Sequence, residues 1–155
     1  MKFLEKDLEE IIYLSGIDEL RERGLEINGK LMRQVRIGNY GIADLITLER
    51  PAYGGLGKIT IYELKKDKIS ISAFLQAVGY ARGVQRLLEI RNQLDNFQIA
   101  IRLIGNDIDT SGNFCLLSDL ISGDLFSLEF YQYKYEVDGI YFECMYNYYL
   151  TNEGL

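Results

Sequence analysis

The segment ITIYELKKDKISISAFLQAVGYARG, residues Ile59 to Gly83, starts as an alternating apolar strand and continues as an amphipathic helix. Side chains on a strand alternate between its two faces, so Glu63 and Lys65 project on the same side as Ile61. Burying charge on the core side of a strand is costly unless the charge is paired or binds a metal. The segment therefore predicts a strand-to-helix connection with a charged site where the strand ends.

The residues around this segment predict an α/β fold with a mixed central sheet flanked by helices. Along the chain, the predicted order is one helix, three strands, a second helix and a further strand. The Gly-rich loop Pro51–Gly57 between two of the strands is either a substrate contact or a long hairpin connection. The predicted helices cover Phe3–Leu14 and residues 70–91, and the predicted strands cover Leu31–Arg36, Gly41–Leu48, Lys58–Lys66 and Phe97–Ile104.

A β-rich tail, about residues 113–150, follows this core of about residues 3–104. In the tail, YQYKYEV and IYFECMY flank Asp138-Gly139, a dipeptide preferred in two-residue hairpin turns. Its tyrosines are expected to form a half-buried sheet face or a subunit contact, with a base-stacking platform as the other alternative. The turn predicts that Val137 pairs with Ile140, Tyr135 with Phe142 and Lys134 with Glu143.

Length and composition favour a single intracellular domain. The chain has 155 residues, 48% hydrophobic and 26% charged, which suits one domain over residues 1–155. The first residues, MKFLEKDLEE, contain no apolar signal-peptide region, and no apolar run approaches the ~20 residues of a membrane span, so a cytoplasmic location is expected. Cys115 and Cys144 are too few for a metal knuckle or a disulfide framework, and we expect reduced, packed thiols.

The chain contains no histidine, which narrows the possible chemistry. Ser-His-Asp and Cys-His catalysis are excluded, as are metal sites built on imidazole. Any catalysis must use carboxylate, lysine, tyrosine, or a metal held by oxygen ligands.

Charge is distributed unevenly along the chain. The net charge of −6 counts against a typical free-standing nucleic-acid binder, which is basic. However, residues 21–40 carry five basic and two acidic side chains and residues 58–91 carry seven and three, whereas residues 106–155 carry one and nine. The two basic segments can therefore still face an acidic polymer.

Asp44 is a carboxylate in the strand GIADLITL, which is otherwise apolar. Together with Glu63 and the backbone carbonyl of Leu64, it supplies the hard oxygen ligands that suit Mg²⁺ or Mn²⁺, with waters completing the shell. Such a cation assists phosphodiester hydrolysis, and Lys65 close by would orient the attacking water or offset developing charge. This chemistry requires no histidine.

These residues resemble the core of a known family. Asp44 followed by Glu63-Leu64-Lys65 on the next strand is similar to the Asp…(Asp/Glu)-x-Lys pattern of the PD-(D/E)XK nuclease superfamily. Gln76 and Tyr80, one helical turn apart, resemble the Gln-x-x-x-Tyr pattern of several branches, and Glu5 lies where many members have an additional metal-associated glutamate. In series, LEKDLEEII, GIADLI, ELKK and LQAVGY look most similar to the NucS-type and Holliday-junction-resolvase-like branches.

The resemblance implies a restriction-endonuclease-like core and an endonuclease that uses Mg²⁺ or Mn²⁺ to cut DNA, whether branched, single-stranded or otherwise structured. The metal ligands that it implies are Asp44, Glu63, the Leu64 carbonyl and Glu5. The catalytic residues that it implies are Asp44, Glu63, Lys65 and Gln76, and Tyr80 would bind the substrate.

The sequence departs from the family pattern in two places. Ile42-Ala43 precedes Asp44 where the name-giving proline would stand, and the Gly-rich loop lengthens the interval between Asp44 and Glu63. The first helix also offers two candidates for the additional glutamate, Glu5 and Glu9. The resemblance covers about two-thirds of the chain and leaves the tail without a motif.

Basic side chains near these motifs are candidates for contacts with phosphate, although such a set usually forms a solvated face. They are Arg33, Arg36, Lys66, Lys68, Arg82 and Arg86.

Each assignment has a structural alternative. Asp44, Glu63 and Lys65 would also make a structural ion-pair cluster, and Gln76 and Tyr80 would pin the helix to the sheet. Without the chemistry, the same fold suits a catalytically inactive module for protein binding or for assembly of a nucleoprotein or viral complex. The aromatic hairpin suits a homodimer interface, and the acidic, Tyr-rich tail suits a protein partner.

Overall fold

A six-stranded mixed sheet dominates the structure, a computed structural model that describes residues 5–108 and 126–145. The helices are α1 (Glu5–Leu14), α2 (Ile17–Glu22) and α3 (Ile71–Ile90), with a 3-10 turn at Leu94–Asn96. The strands are β1 (Lys30–Arg36), β2 (Ile42–Glu49), β3 (Gly57–Leu64), β4 (Lys68–Ile69), β5 (Phe97–Gly105), β6 (Asp107–Ile108), β7 (Ser127–Glu136) and β8 (Gly139–Cys144).

The sheet combines two antiparallel edges with a parallel centre. Its strand order is β1-β2-β3-β5-β7-β8; β3, β5 and β7 run parallel, and the remaining neighbours are antiparallel. Because parallel neighbours need a crossover, α3 returns the chain from the end of β3 to the start of β5. The short β4 and β6 form a separate parallel pair. The expected α/β class with a mixed sheet and flanking helices is confirmed.

The two faces of the sheet carry separate hydrophobic cores. Phe74 and Ala77 of α3 pack with Ile61 and Ile101 on one face, whereas the other face holds a core that includes residues from α1 and α2. Central strands covered on both faces read as nearly continuous apolar runs, as β3 and β5 do. On the α1 side the core includes Leu8, Ile12, Leu20, Leu45, Tyr62 and Ile104.

The predicted helices and strands that show strong local periodicity are confirmed. Their observed boundaries differ from the predicted ones by at most two residues. The start of the first predicted helix, at Phe3, lies outside the described residues. The strand predicted to reach Lys66 ends at Leu64, because the chain turns at Lys66-Asp67 to form β4. Helix α2 and strands β4 and β6 were not predicted, since each has at most 6 residues and is too short to show a repeating hydrophobic pattern.

The tail hairpin exists, but its predicted register is wrong by two residues. The turn is centred on Val137-Asp138 rather than Asp138-Gly139. A shift of two preserves the faces, so the apolar side still faces the core. The observed pairs include Tyr135 with Ile140, Lys134 with Tyr141, Tyr133 with Phe142 and Gln132 with Glu143.

Arg23 holds strand β8 on the side away from β7. Its guanidinium donates hydrogen bonds to the carbonyls of Ile140 and Asp138, at 3.2 and 3.1 Å, and its carbonyl accepts one from the N–H of Phe142 at 2.7 Å. A Cβ at Gly139, where φ is +140°, would lie 2.3 Å from the Arg23 Nη1. The edge strand β8 is therefore fixed and covered by a residue from the other end of the chain.

Two further sequence expectations can be compared with the described residues. Cys144 is a free and exposed thiol at the end of β8, so the expectation of a packed thiol is wrong there, and Cys115 lies outside the described residues. Within the described ranges, no helix is both long and apolar enough to cross a membrane.

The two glycines of α3 differ in their surroundings. The sequence predicts that both permit close helix packing. A Cβ at Gly83 would lie 2.6 Å from Ile37 Cγ2 and 2.8 Å from the Tyr40 ring, which confirms the prediction for Gly83. A Cβ at Gly79 would meet no described atom within 4 Å, so close packing does not explain Gly79.

Alanine at these two positions should therefore have opposite effects on stability. Gly79→Ala should raise the free energy of unfolding by about 1 kcal/mol through helix propensity. Gly83→Ala should lower it by roughly 1–3 kcal/mol, because Ile37 and Tyr40 would have to move. Urea unfolding measures both variants. Equal stabilisation by the two substitutions would contradict the packing of α3 described here.

Candidate active site

Asp44 and Glu63 lie opposite each other on neighbouring strands. In the β2–β3 pairing Leu45 faces Tyr62, and one further step in the same register places Asp44 opposite Glu63. The Glu63 side chain is only 4% exposed. The N–H of Leu64 donates a hydrogen bond to Asp44 Oδ2 at 3.1 Å, which holds the aspartate against the end of β3. The predicted convergence of these two carboxyl groups is present in the structure.

The surroundings of both carboxyl groups raise their pKa values. Burial, reinforced by the charge of Asp44, raises the pKa of Glu63 from its ordinary 4.5 to about 8, although Lys65 opposes the shift. Burial also raises the pKa of Asp44; the hydrogen bond from Leu64 and the charge of Lys65 oppose this, and Glu9 and Glu5 add to it. The site therefore contains more negative charge than its lysine compensates.

Lys65 reaches the site from just beyond the end of β3. Its Nζ lies 3.6 Å from Glu63 Oε1 and 3.8 Å from Glu5 Oε2. Its backbone N–H donates to the Ile104 carbonyl at 2.8 Å, so the parallel contact with β5 continues for one residue past the strand. The ammonium thus bridges the buried Glu63 and the half-exposed Glu5.

The two candidate carboxylates of α1 have different partners. Glu9 is buried, with Oε1 accepting from Arg33 Nε at 3.0 Å and Oε2 accepting from Gln34 Nε2 at 2.8 Å. Glu5 instead contacts Lys65. Of the two, Glu5 is the one placed to take part at the lysine, and Glu9 connects α1 to β1.

Gln34 is a site residue that sequence reasoning missed. It has φ +50°, a left-handed conformation that costs about 1–2 kcal/mol for a residue with a side chain. The β1–β2 pairing includes Arg33 with Leu45 and Val35 with Ala43, but it skips Gln34, which stands opposite Asp44. Strained backbone often accompanies functional sites. Nothing in the residue type signals this conformation.

Gln76 and Tyr80 lie at the same site. Gln76 Nε2 donates a hydrogen bond of 2.7 Å to the Tyr80 hydroxyl. Tyr80 is buried, and its ring lies against Gly41, where a Cβ would be 2.9 Å from Cε1. Burial raises the pKa of Tyr80, the hydrogen bond from Gln76 opposes the shift, and the charges of Glu63 and Asp44 add to it. The hydrogen bond lies within α3, so it does not join the helix to the sheet. The Tyr80 ring packs against Gly41 and places a phenol near the acids.

The predicted phosphate-binding side chains have different environments. Arg33 is bound to Glu9 and stacks over the ring of Tyr13 at 5.0 Å. Arg82 stacks over Phe126 at 5.4 Å and donates to Gln85. Lys66 lies 3.8 Å from Asp67, and Arg86 lies 3.3 Å from Glu89. Arg36 and Lys68 are exposed and make no ion pair within the described ranges.

The Gly-rich loop lies at the other end of the β2–β3 hairpin. It follows Glu49, whereas Asp44 is five residues earlier in the same strand. Five residues of strand span roughly 17 Å. Of the two readings of this loop, the structure favours a long hairpin connection over a contact with substrate at the acidic site.

The donor set is compatible with a hard divalent cation. Asp44, Glu63 and the Leu64 carbonyl offer only oxygen, and Mg²⁺ commonly binds one or two carboxylates while keeping several waters. In the part of the chain that the structure describes, no three His, Cys, Asp or Glu side chains are grouped tightly enough to hold a metal by themselves. A largely hydrated cation is compatible with two carboxylates and one carbonyl.

Comparisons with protein-family models, curated proteins and solved structures found no match to this chain. The function is therefore inferred from the chemistry of the site and from the strands that position it.

The raised pKa of Glu63 predicts that the metal-free protein loses stability as pH rises. The folded chain retains a proton that the unfolded chain releases near pH 4.5, so the stabilisation is complete below 4.5 and is lost as pH rises through about 8. Between pH 5 and 9, in EDTA, wild type should lose on the order of 3 kcal/mol of unfolding free energy through this group.

Glu63→Gln should remove most of this loss, because a neutral amide keeps the shape of the side chain without the proton equilibrium. Glu10→Gln, a change at an exposed position of α1, should retain the wild-type pH dependence. Urea unfolding at several pH values measures the effect. A Glu63→Gln variant with the wild-type slope would show that Glu63 titrates normally.

Proposed function

We propose that this chain is a divalent-metal-dependent nuclease that hydrolyses DNA phosphodiester bonds on a PD-(D/E)XK, restriction-endonuclease-like core. The observation that carries the proposal is the buried Glu63, opposite Asp44 and 3.6 Å from Lys65 Nζ. The order of α1, three antiparallel strands, α3 and β5 also supports it, with the short α2 and β4 as additions. The lack of histidine is consistent with this chemistry.

In this proposal Asp44 and Glu63 hold Mg²⁺ or Mn²⁺ together with the Leu64 carbonyl, and Glu5 acts as an outer carboxylate. When bound, the cation supplies positive charge that polarises the phosphate and lowers the pKa of water. The two carboxyl groups would give up the proton that burial favours, so binding of the metal and release of that proton are coupled. Metal affinity should therefore rise with pH until that proton is lost.

Lys65 would act on the attacking water and on the charge that develops at phosphorus. In hydrolysis, the water loses a proton to solvent as its oxygen bonds to phosphorus, one ester P–O bond breaks, and the leaving oxygen takes a proton from solvent. The ammonium of Lys65, held between Glu63 and Glu5, is placed to orient the water and to offset negative charge on the phosphate. Such preorganised charge contributes most when the surrounding protein fixes it.

Gln76 and Tyr80 would orient the substrate strand or the lysine. The amide of Gln76 donates to the Tyr80 oxygen, which leaves the phenolic proton available for donation to a phosphate oxygen. Arg36 and Lys68, exposed cations without an ion pair among the described residues, are the predicted basic groups best placed to bind the DNA backbone.

A second candidate is a catalytically inactive module of the same fold that binds another protein or assembles with a nucleoprotein or viral complex. One observation favours it: Arg33 and Arg82 already have partners within the chain. The net charge of −6 also suits a protein partner better than DNA.

Cleavage assays with Mn²⁺ and branched, single-stranded and duplex DNA test the nuclease proposal. Asp44→Asn, Glu63→Gln and Lys65→Ala should each lower the cleavage rate by about 10²-fold or more, because each removes charge used in the transition state.

The matched control is Lys58→Ala, which removes a lysine from the opposite end of strand β3 and should cut DNA at the wild-type rate. Equal cleavage by wild type and Glu63→Gln would trace the activity to a contaminant or another site. If wild type binds no Mn²⁺ by calorimetry and forms a stable complex with another protein, the second candidate replaces the first.

A further inference from the structure

Each of the three residues after strand β3, Lys65 to Asp67, makes a hydrogen bond through its backbone. The N–H of Lys65 donates to the Ile104 carbonyl at 2.8 Å, and the Asp67 carbonyl accepts from the N–H of Asn106 at 3.0 Å. Between them, the Lys66 carbonyl accepts a hydrogen bond from the hydroxyl of Tyr133. Of these three bonds, only the one from Tyr133 is donated by a side chain, so a point mutation can remove it.

Tyr133 belongs to strand β7, in the tail that carries no motif. Its side chain is buried, and burial raises its pKa to about 12, with the charges of Asp67, Tyr135 and Glu5 adding to the shift. The hydroxyl is therefore protonated at working pH and able to donate. The preceding residue supports the same region, because Gln132 Nε2 donates to the Asn106 carbonyl at 2.9 Å.

These bonds hold the backbone of the segment that carries Lys65. Lys65 is just past the end of β3, so ladder pairing with β2 does not fix it. Its Nζ contacts Glu63 and Glu5 at 3.6 and 3.8 Å, and a shift of the next carbonyl would change both distances. Displacements of about 1 Å in a catalytic group can cost up to about 10² in rate.

We infer that Tyr133 is a positioning residue for Lys65, and that the tail hairpin β7–β8 belongs to the working site. The expected effect on kcat rests on the proposed nuclease function. The expectation that Tyr133 holds the segment next to Lys65 rests only on the hydrogen bond to the Lys66 carbonyl. It gives a role to a part of the chain that the family resemblance leaves unassigned.

Tyr133→Phe tests this inference, and Tyr131→Phe is the matched control. Both tyrosines are in β7, both are buried in the same core, and each hydroxyl donates one hydrogen bond, but that of Tyr131 goes to Glu129. Both variants should lose a comparable amount of thermal stability. Only Tyr133→Phe should lower kcat, by about tenfold, with KM and Mn²⁺ affinity within about twofold of wild type, because Asp44 and Glu63 are unchanged.

A double-mutant cycle separates positioning from general destabilisation. If Tyr133 acts through Lys65, the variant with both Lys65→Ala and Tyr133→Phe should be no slower than Lys65→Ala alone. Multiplied losses in the double variant, or a Tyr133→Phe enzyme as fast as Tyr131→Phe, would overturn the inference.

Amide hydrogen exchange, followed by NMR, gives a test that does not depend on activity. The N–H groups of Lys65 and Asn106, which flank the Tyr133 contact, should exchange faster in Tyr133→Phe and at the wild-type rate in Tyr131→Phe. Unchanged exchange in Tyr133→Phe would overturn the inference. If the wild-type chain cuts no DNA, only the nuclease proposal fails. The exchange rates would still decide whether Tyr133 holds this segment.

Discussion

A carboxyl group buried next to another carboxyl group must be neutralised, and this constraint organises the site. Glu63 is 4% exposed and faces Asp44 across the β2–β3 pairing. A proton, an ammonium or a cation can provide the neutralisation. Lys65 provides part of it, and the pKa of Glu63, raised by burial to about 8, indicates that a proton also contributes in the metal-free chain. A bound divalent cation would supply the remaining positive charge in place of the proton.

The structure around the acids is built from contacts between distant segments. Glu9 joins α1 to β1 through Arg33 and Gln34, and the left-handed Gln34 interrupts the pairing of β1 opposite Asp44. On the other side, β7 continues the sheet beside β5, so the tail hairpin is part of the central sheet rather than an appendage. Strain near the acids is thus offset by well-satisfied hydrogen bonds around them.

Sequence reasoning identified what local periodicity determines. The alternation in β3 and the helical spacing in α3 predicted both elements and brought Glu63, Lys65 and Asp44 together. The turn dipeptide alone did not predict the hairpin register, because β8 also contacts Arg23, 117 residues away in sequence, and such a contact leaves no local signal. The partners of Glu9 depend in the same way on the packing of α1 against β1.

Anomalous diffraction from crystals grown with Mn²⁺ tests the central claim most directly, namely that the Asp44 and Glu63 carboxyl groups form a cation site. The account predicts an anomalous peak at about 2.1 Å from one oxygen of each carboxylate, with water at the remaining positions. Manganese bound only elsewhere, or carboxyl groups that point away from each other in a crystal containing Mn²⁺, would contradict it.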